Sequence, residues 1–257
     1  MLLLTIGDVV GQSGRDFLKK NLRRIKQQKN VDFCIVNGEN SGGGNGIDPG
    51  SAEDIFEAGA DVITTGNHVW QKREIYEYLD ESPYIIRPAN YPDICPGRGY
   101  VVVEWKRHQI MVANLLGTAF LEPMLSPFIA IDRILKEVGP EVKIRIVDFH
   151  GEATSEKRAM GFYLDGRASV LFGTHTHVQT ADEMIFPDGL GYITDLGMTG
   201  PDLSVLGLEP EAVIKKFTMA MPQRFTTSKN GVQMCGALFH IDERTGKTTQ
   251  VERLAVR

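Results

Sequence analysis

The 257-residue chain predicts an α/β fold in which two packed mixed sheets are flanked by helices. Three observations carry this expectation. Strand and helix periods alternate through roughly the first eighty residues, an antiparallel pair follows Arg87-Pro88, and the C-terminal third reads as strands joined by turns.

The elements follow in order. Met1–Ile6 is apolar, has no basic segment ahead of it and stops at Gly7-Asp8, so it reads as a first strand and not as a leader peptide. Phe17, Leu18, Leu22 and Ile25 form the apolar stripe of an amphipathic helix. Its other face carries Lys19, Lys20, Arg23, Arg24 and Lys26, a cluster best explained as a solvated helix face. Phe33–Val36 is a second strand, followed by the flexible loop Ser41–Gly46. Ser51, with Asp54 three residues on, predicts a capped helix start before Ile55 and Phe56.

Asp61–Thr65 is the next strand. Tyr100–Trp105 and Gln109–Asn114, joined by the polar turn Lys106–His108, predict an antiparallel pair. Ser126-Pro127 opens a helix with Phe128, Ile131, Ile134, Leu135 and Val138 on its apolar side. Lys143–Val147 leads to His150, a helix spans about Ser155 to Tyr163, and Ser169–Phe172 leads to His175. Phe186–Gly189 is a turn, one helix lies near Glu209–Phe217, and Lys229-Asn230-Gly231 is a type I′ hairpin signal between alternating strands. Val232–Ile241 and Thr248–Leu254 complete the β-rich end. No repeat, low-complexity segment or long linker divides the chain, so residues 1–257 read as one domain.

Composition excludes several classes of function. A hydrophobic content of 42% and a charged fraction of 24% describe an ordinary globular chain able to fill a large core. A net charge of −5 argues against an extended nucleic-acid surface. Cys34, Cys95 and Cys235 make an odd count without Cys-x-x-Cys spacing, which points to a reducing, cytoplasmic setting. No apolar run approaches the roughly 20 residues a membrane span needs. Trp70, Tyr76 and Tyr78 suit either an interface or a half-buried core.

The chemistry sits where the strands stop. Five apolar runs end in ligand-type side chains: Asp8, then Glu39 and Asn40, then Asn67 and His68, then His150, then His175 and His177. Ligands of open α/β sheets collect at the carboxyl ends of the strands, so these residues predict one site at one sheet edge. Carboxylates, amides and imidazoles together suit manganese, iron, zinc or cobalt better than a thiolate metal or calcium. His175 and His177 would share a face if the strand continued, whereas a turn after Phe172 would splay them toward two metals. The glycine run from Gly42 to Gly46 could cradle a phosphate or simply turn the chain, and it lacks the Lys-Ser/Thr of a P-loop.

The order Asp8, Asn37–Asn40, Gly66–His68, His150 and Gly173–His177 resembles the calcineurin-like metallophosphoesterase superfamily. That family's pattern is Asp-x-His, Gly-Asp-x-x-Asp, Gly-Asn-His-(Asp/Glu), a lone His and Gly-His-x-His. Its αββα sandwich agrees with the alternation above. The departures are specific: Val10 takes the place of the first histidine, Glu39 that of the bridging aspartate, and Val69 that of the acid beside His68. Together with Asn37–Gly44 and Gly173–Val178 they resemble the bacterial YmdB branch, over the whole length of the chain.

That resemblance implies a phosphodiesterase acting on cyclic nucleotides, notably 2′,3′-cyclic ones, through a hydroxide bridging two divalent metals, with iron or manganese expected ahead of zinc or cobalt. It implies Asp8, Glu39, Asn40 and His177 for the first ion, and Glu39, Asn67, His150 and His175 for the second. Glu39 is the bridge. His68 would assist the phosphoryl group or the leaving oxygen, although loss of the acid at position 69 removes its usual orienting partner. A homo-oligomer is implied as well. A phosphomonoesterase or nucleotidase on the same site, or a regulatory protein that binds metal or nucleotide without turnover, are the alternative readings.

Overall fold

The computed structural model describes residues 1–257. The first half contains β1 (Leu2–Ile6), β2 (Asp8–Val9), α1 (Gly11–Lys29), β3 (Phe33–Asn37), α2 (Pro49–Ala58), β4 (Val62–Thr64), α3 (Ile75–Glu81), β5 (Ile85–Ile86), β6 (Tyr100–Trp105) and β7 (His108–Leu116). There follow α4 (Pro127–Val138), β8 (Ile144–His150), α5 (Thr154–Leu164), β9 (Val170–Thr174), β10 (Met184–Ile185), β11 (Gly191–Ile193), β12 (Met198–Pro201), α6 (Pro210–Met219), β13 (Val232–Ile241) and β14 (Thr248–Val256).

Two sheets result. An eight-stranded sheet runs β2-β12-β13-β1-β3-β4-β5, with β14 paired to β13; a six-stranded sheet runs β10-β11-β9-β8-β7-β6. The neighbours β1, β3, β4 and β5 are parallel, as are β7, β8, β9 and β11, while β13 against β1 and β6 against β7 are antiparallel. The predicted two-sheet α/β architecture is the observed one.

Alternation along the strands explains the layering. On β3, Phe33 and Ile35 face the other sheet, where they meet Ile110, Val112, Ile146 and Phe172, whereas Cys34 and Val36 face α1 and α2. A third core joins β7 and β8 to α4 and α5 through Ala113, Phe149, Ile131 and Met160. The order of layers is therefore helix, sheet, sheet, helix. Each fully buried aliphatic side chain in these cores contributes roughly 1.5–3 kcal/mol.

Several local expectations are corrected. The cap of α2 is Asp48, whose side chain accepts the Ser51 N–H at 2.8 Å while Ser51 Oγ receives the Asp48 N–H at 3.0 Å. Asp54 instead pairs with Arg15 and Lys19. Proline at the first helical position explains why the helix begins earlier than Ser51. Lys229-Asn230-Gly231 does not close a hairpin between successive strands: Val232 of β13 pairs with Pro201 of β12, and α6 lies between them in sequence. Trp70, Tyr76 and Tyr78 are half-buried against the first core. The basic face of α1 is the solvated face expected: Lys19, Lys20, Arg23 and Arg24 are exposed, and Lys19, Arg23 and Lys26 also bond to Asp54, the Glu57 carbonyl and Asp61. No helix is long and apolar enough to cross a membrane.

Candidate metal centre

The strand ends singled out in the sequence converge, but from two sheets and not from one. Asp8 follows β1, Glu39 and Asn40 follow β3, and Asn67 and His68 follow β4 in the eight-stranded sheet; His150 ends β8, and His175 and His177 follow β9 in the six-stranded one. Both sheets present their parallel strands' carboxyl ends to the same side, which is why residues so distant in sequence meet.

Four donors close on one point. The Nε2 atom of His150 lies 3.1 Å from Glu39 Oε1, 3.1 Å from Asn67 Oδ1 and 3.1 Å from His175 Nδ1. The other nitrogen of each ring fixes its tautomer. His150 Nδ1 lies 2.9 Å from Thr174 Oγ1, which itself donates to Asp148 Oδ1 at 2.7 Å, so the ring nitrogen must be the donor there. His175 Nε2 faces Glu152 Oε2 at 3.0 Å. Two imidazoles, a carboxylate and an amide therefore converge, and a divalent cation would take the place of the His150 Nε2 proton among them.

The second group is looser. His177 Nδ1 donates to the Leu206 carbonyl at 3.0 Å, which turns Nε2 toward Asp8 Oδ1 at 3.8 Å and Asn40 Nδ2 at 3.2 Å. Asn40 places its oxygen on His68 Nδ1 at 3.0 Å and its nitrogen on Glu39 Oε1 at 3.2 Å. A ligand role for Asn40 requires the opposite, isosteric orientation of that amide. The Asp8 carboxylate is wholly buried, and its Oδ1 has no hydrogen-bond partner. An orphaned anionic oxygen of this kind is costly unless a cation meets it.

Space and electrostatics agree with a cation. A Cβ at Gly66 would fall 2.0 Å from Glu39 Oε2 and 2.4 Å from His150 Nε2, so only glycine leaves room for the centre. Among the protein groups alone, burial raises the carboxyl of Asp8 above its usual range. Burial also works against an anionic Glu39, yet the His150 and His68 imidazoles hold it well below the usual carboxylate range. The His150 ring, opposed by burial, is lifted to about 9 by Glu39, Asp8 and Asp148, whereas burial and the His150 charge press His175 down to about 3. Burial pushes Asp148 up to about 6. Acids and bases displaced this far, and packed this closely, form a site short of positive charge, and the residues present fit the divalent metals expected from the sequence.

The backbone produces the splay of the two histidines. His175 and His177 have φ values of 98° and 65°, so the chain leaves the extended path at the end of β9 and sends the rings to different donor groups. Two other readings change. Val69 is a fully buried core residue, and His68 is oriented instead by the Asn40 side-chain amide and by Glu39 Oε1 at 3.2 Å. The Gly42, Gly43 and Gly44 N–H groups bond to the carbonyls of Gly46, Ser41 and Asn40, so these three amides are engaged within the loop.

The sequence alone assigns no role at the centre to Asp148, Thr174 or Glu152, although Gly151–Thr154 stands out as a neighbour of the ligands. Asp148 also accepts from Asn37 Nδ2 at 3.0 Å and from Thr64 Oγ1, which ties β3 and β4 to β8 beneath the centre. A lone carboxylate interrupting an apolar strand, in the run Ile146-Val147-Asp148-Phe149, is the one signal the sequence offers for Asp148.

Known proteins resemble the chain over its full length. The 2′,3′-cyclic-nucleotide 2′-phosphodiesterase of Bacillus subtilis (strain 168) is 43% identical over 256 residues, covering 100% of this chain and 97% of that protein. A Mycoplasma pneumoniae structure described as a novel phosphatase superposes with a TM-score of 0.94 at 36% identity, covering 100% of this chain and 93% of that one. The crystal structure of a hypothetical protein from Thermus thermophilus matches equally well, at a TM-score of 0.94 and 36% identity over 100% of this chain and 99% of the other. The family described as YmdB-like protein matches residues 4–254, and the chain belongs to that family.

Proposed function

We propose that the chain is a two-metal phosphodiesterase that opens small 2′,3′-cyclic nucleotides at the P–O2′ bond. The observation that carries this reading is the convergence of the Glu39, Asn67, His150 and His175 donor atoms around His150 Nε2, beside the orphaned Asp8 Oδ1. Asp8, Glu39, Asn40 and His177 would hold one ion, and Glu39, Asn67, His150 and His175 the other, with Glu39 shared. Iron or manganese fits this oxygen–nitrogen set first, zinc or cobalt next. Such ions neutralise charge on phosphoryl oxygens and acidify water so that a nucleophile exists at neutral pH.

The chain's own residues supply the rest. His68 is a third exposed, at 33%, and its Nδ1 is engaged by Asn40 and Glu39, so Nε2 is the nitrogen left for substrate. Water adds its oxygen to phosphorus and releases one proton to solvent, the P–O2′ bond breaks, and His68 gives a proton to O2′ and regains it from solvent, leaving a nucleoside 3′-phosphate. Glu39, anionic beside two imidazoles, holds the two halves of the centre together. We further infer one catalytic unit over residues 1–257, a cytoplasmic setting consistent with three free thiols, and self-association.

The names of the Mycoplasma relatives, a putative phosphatase/phosphodiesterase among them, favour a phosphomonoesterase as the second reading. Hydrolysis of 2′,3′-cyclic AMP and of p-nitrophenyl phosphate by the metal-loaded protein separates the two. The diesterase reading expects 3′-AMP as product, and it expects His68→Ala to lose on the order of 10²–10⁴ in turnover with its metal retained. Faster release of p-nitrophenol than opening of the cyclic diester would favour the monoesterase. A protein that takes up no metal would end both readings.

A further inference from the structure

The segment Gly173–His177 holds two non-glycine residues at positive φ, and the apolar core does not explain what keeps them there. Beneath it lies an ion pair. Lys157, on α5 and 1% exposed, donates from Nζ to Asp195 Oδ2 at 2.7 Å and to the Thr174 carbonyl at 2.8 Å. Asp195, wholly buried just past β11, takes the Thr176 N–H at 3.1 Å and the Thr176 hydroxyl at 2.8 Å on that same oxygen. Its other oxygen accepts the Gly197 N–H at 2.9 Å. A Cβ at position 173 would stand 1.8 Å from the Thr194 carbonyl oxygen and 3.0 Å from Lys157 Cδ, so glycine is what allows the segment to settle onto the pair.

A buried ion pair is a poor source of stability, because apolar groups of equal volume often serve as well or better. The contacts of this pair converge on Thr174 and Thr176, the residues that flank His175, and Thr176 separates it from His177. We propose that Lys157 and Asp195 are positioning residues, a buried charged clamp that fixes the turn Thr174–His177 and so directs His175 and His177 to different ions. This inference rests on the two-metal reading above.

Mn(II) binding by the full-length protein tests it, followed by titration, by the electron paramagnetic resonance of the coupled ion pair and by thermal melting. Lys157→Met combined with Asp195→Asn removes both charges at nearly constant volume, so no lone charge is left buried. The clamp expects Mn(II) affinity to weaken about 10–100-fold and the coupled signal to disappear, while the melting temperature stays within a few degrees of wild type. A double variant that binds two Mn(II) ions as tightly as wild type, with the coupled signal intact, overturns the clamp and leaves the metal reading standing. A wild type that takes up no Mn(II) overturns the metal reading and the clamp with it. If the double variant does not fold, Thr176→Val and Thr176→Ser decide: valine should weaken Mn(II) binding while serine restores it, and equal affinity in both overturns the clamp.

Discussion

The eight-stranded sheet brings chiefly oxygen donors to the centre, and the six-stranded sheet brings imidazoles. Asp8, Glu39, Asn40 and Asn67 stand beyond β1, β3 and β4, whereas His150, His175 and His177 stand at or beyond β8 and β9. The supporting structure differs accordingly. A carboxylate presents equivalent oxygens and needs little beyond placement, and Asp8 has only the His175 N–H on Oδ2. An imidazole must be told which nitrogen is protonated, and each of these three has a separate device: Thr174 with Asp148, the Glu152 carboxylate, and the Leu206 carbonyl. The polar groups around the second sheet's strand ends therefore set the tautomers and ring orientations of its histidines.

Glu39→Ala makes the largest break in this comparison, because Glu39 is the one carboxylate within reach of both His150 and His68. Removing it should drop bound metal below two ions per chain and cost on the order of 10³-fold in turnover of 2′,3′-cyclic AMP. Metal analysis alongside the assay checks this. An alanine variant that keeps two ions and most of its activity would show that the oxygen sheet contributes no bridge.

Thr174→Val against Thr174→Ser sharpens the imidazole side. Valine keeps the shape and deletes the hydroxyl between His150 Nδ1 and Asp148, while serine keeps the hydroxyl. Valine should weaken metal binding by about 10–100-fold, and serine should stay near wild type. Stability should fall as well, by about 1–3 kcal/mol, since the buried Nδ1–H loses its acceptor. Equal metal affinity in the two variants would reduce the Thr174 hydroxyl to a packing feature.

How far the sequence exposed this site depends on which layer is asked about. Strand ends are legible because buried parallel strands are short apolar runs, and a charged or amide residue just past one has few other reasons to be there. Glu39 and His150 are of that kind. Asp148, Thr174, Lys157 and Asp195 lie within or beside the elements and resemble ordinary polar interruptions, and only the packing of two sheets brings them together. Register across long gaps was equally hidden: the Asn230-Gly231 turn looks like a hairpin, yet β13 takes β12 as its partner, and no local rule reports a pairing made around α6. The cap of α2 misled for a related reason, since Ser51 is a good capping residue that happens to sit at the third helical position of an earlier start.

Glu152→Ala tests the most exposed of the three devices and carries the smallest effect. Its side chain is 50% exposed, so solvent screens the bond to His175 Nε2, and the loss should not exceed about 1 kcal/mol, roughly fivefold in metal affinity. The consequence should be selective. His175 belongs to the donor set of Glu39, Asn67 and His150, so titration with Mn(II) should show one ion weakened and the ion near Asp8 and His177 unaffected. Loss of both ions together would mean that Glu152 supports the whole turn and not one ring, which would merge its role with that of the buried clamp. No change in either ion would mean that the 3.0 Å contact is a surface encounter and that His175 takes its orientation from the strained backbone alone.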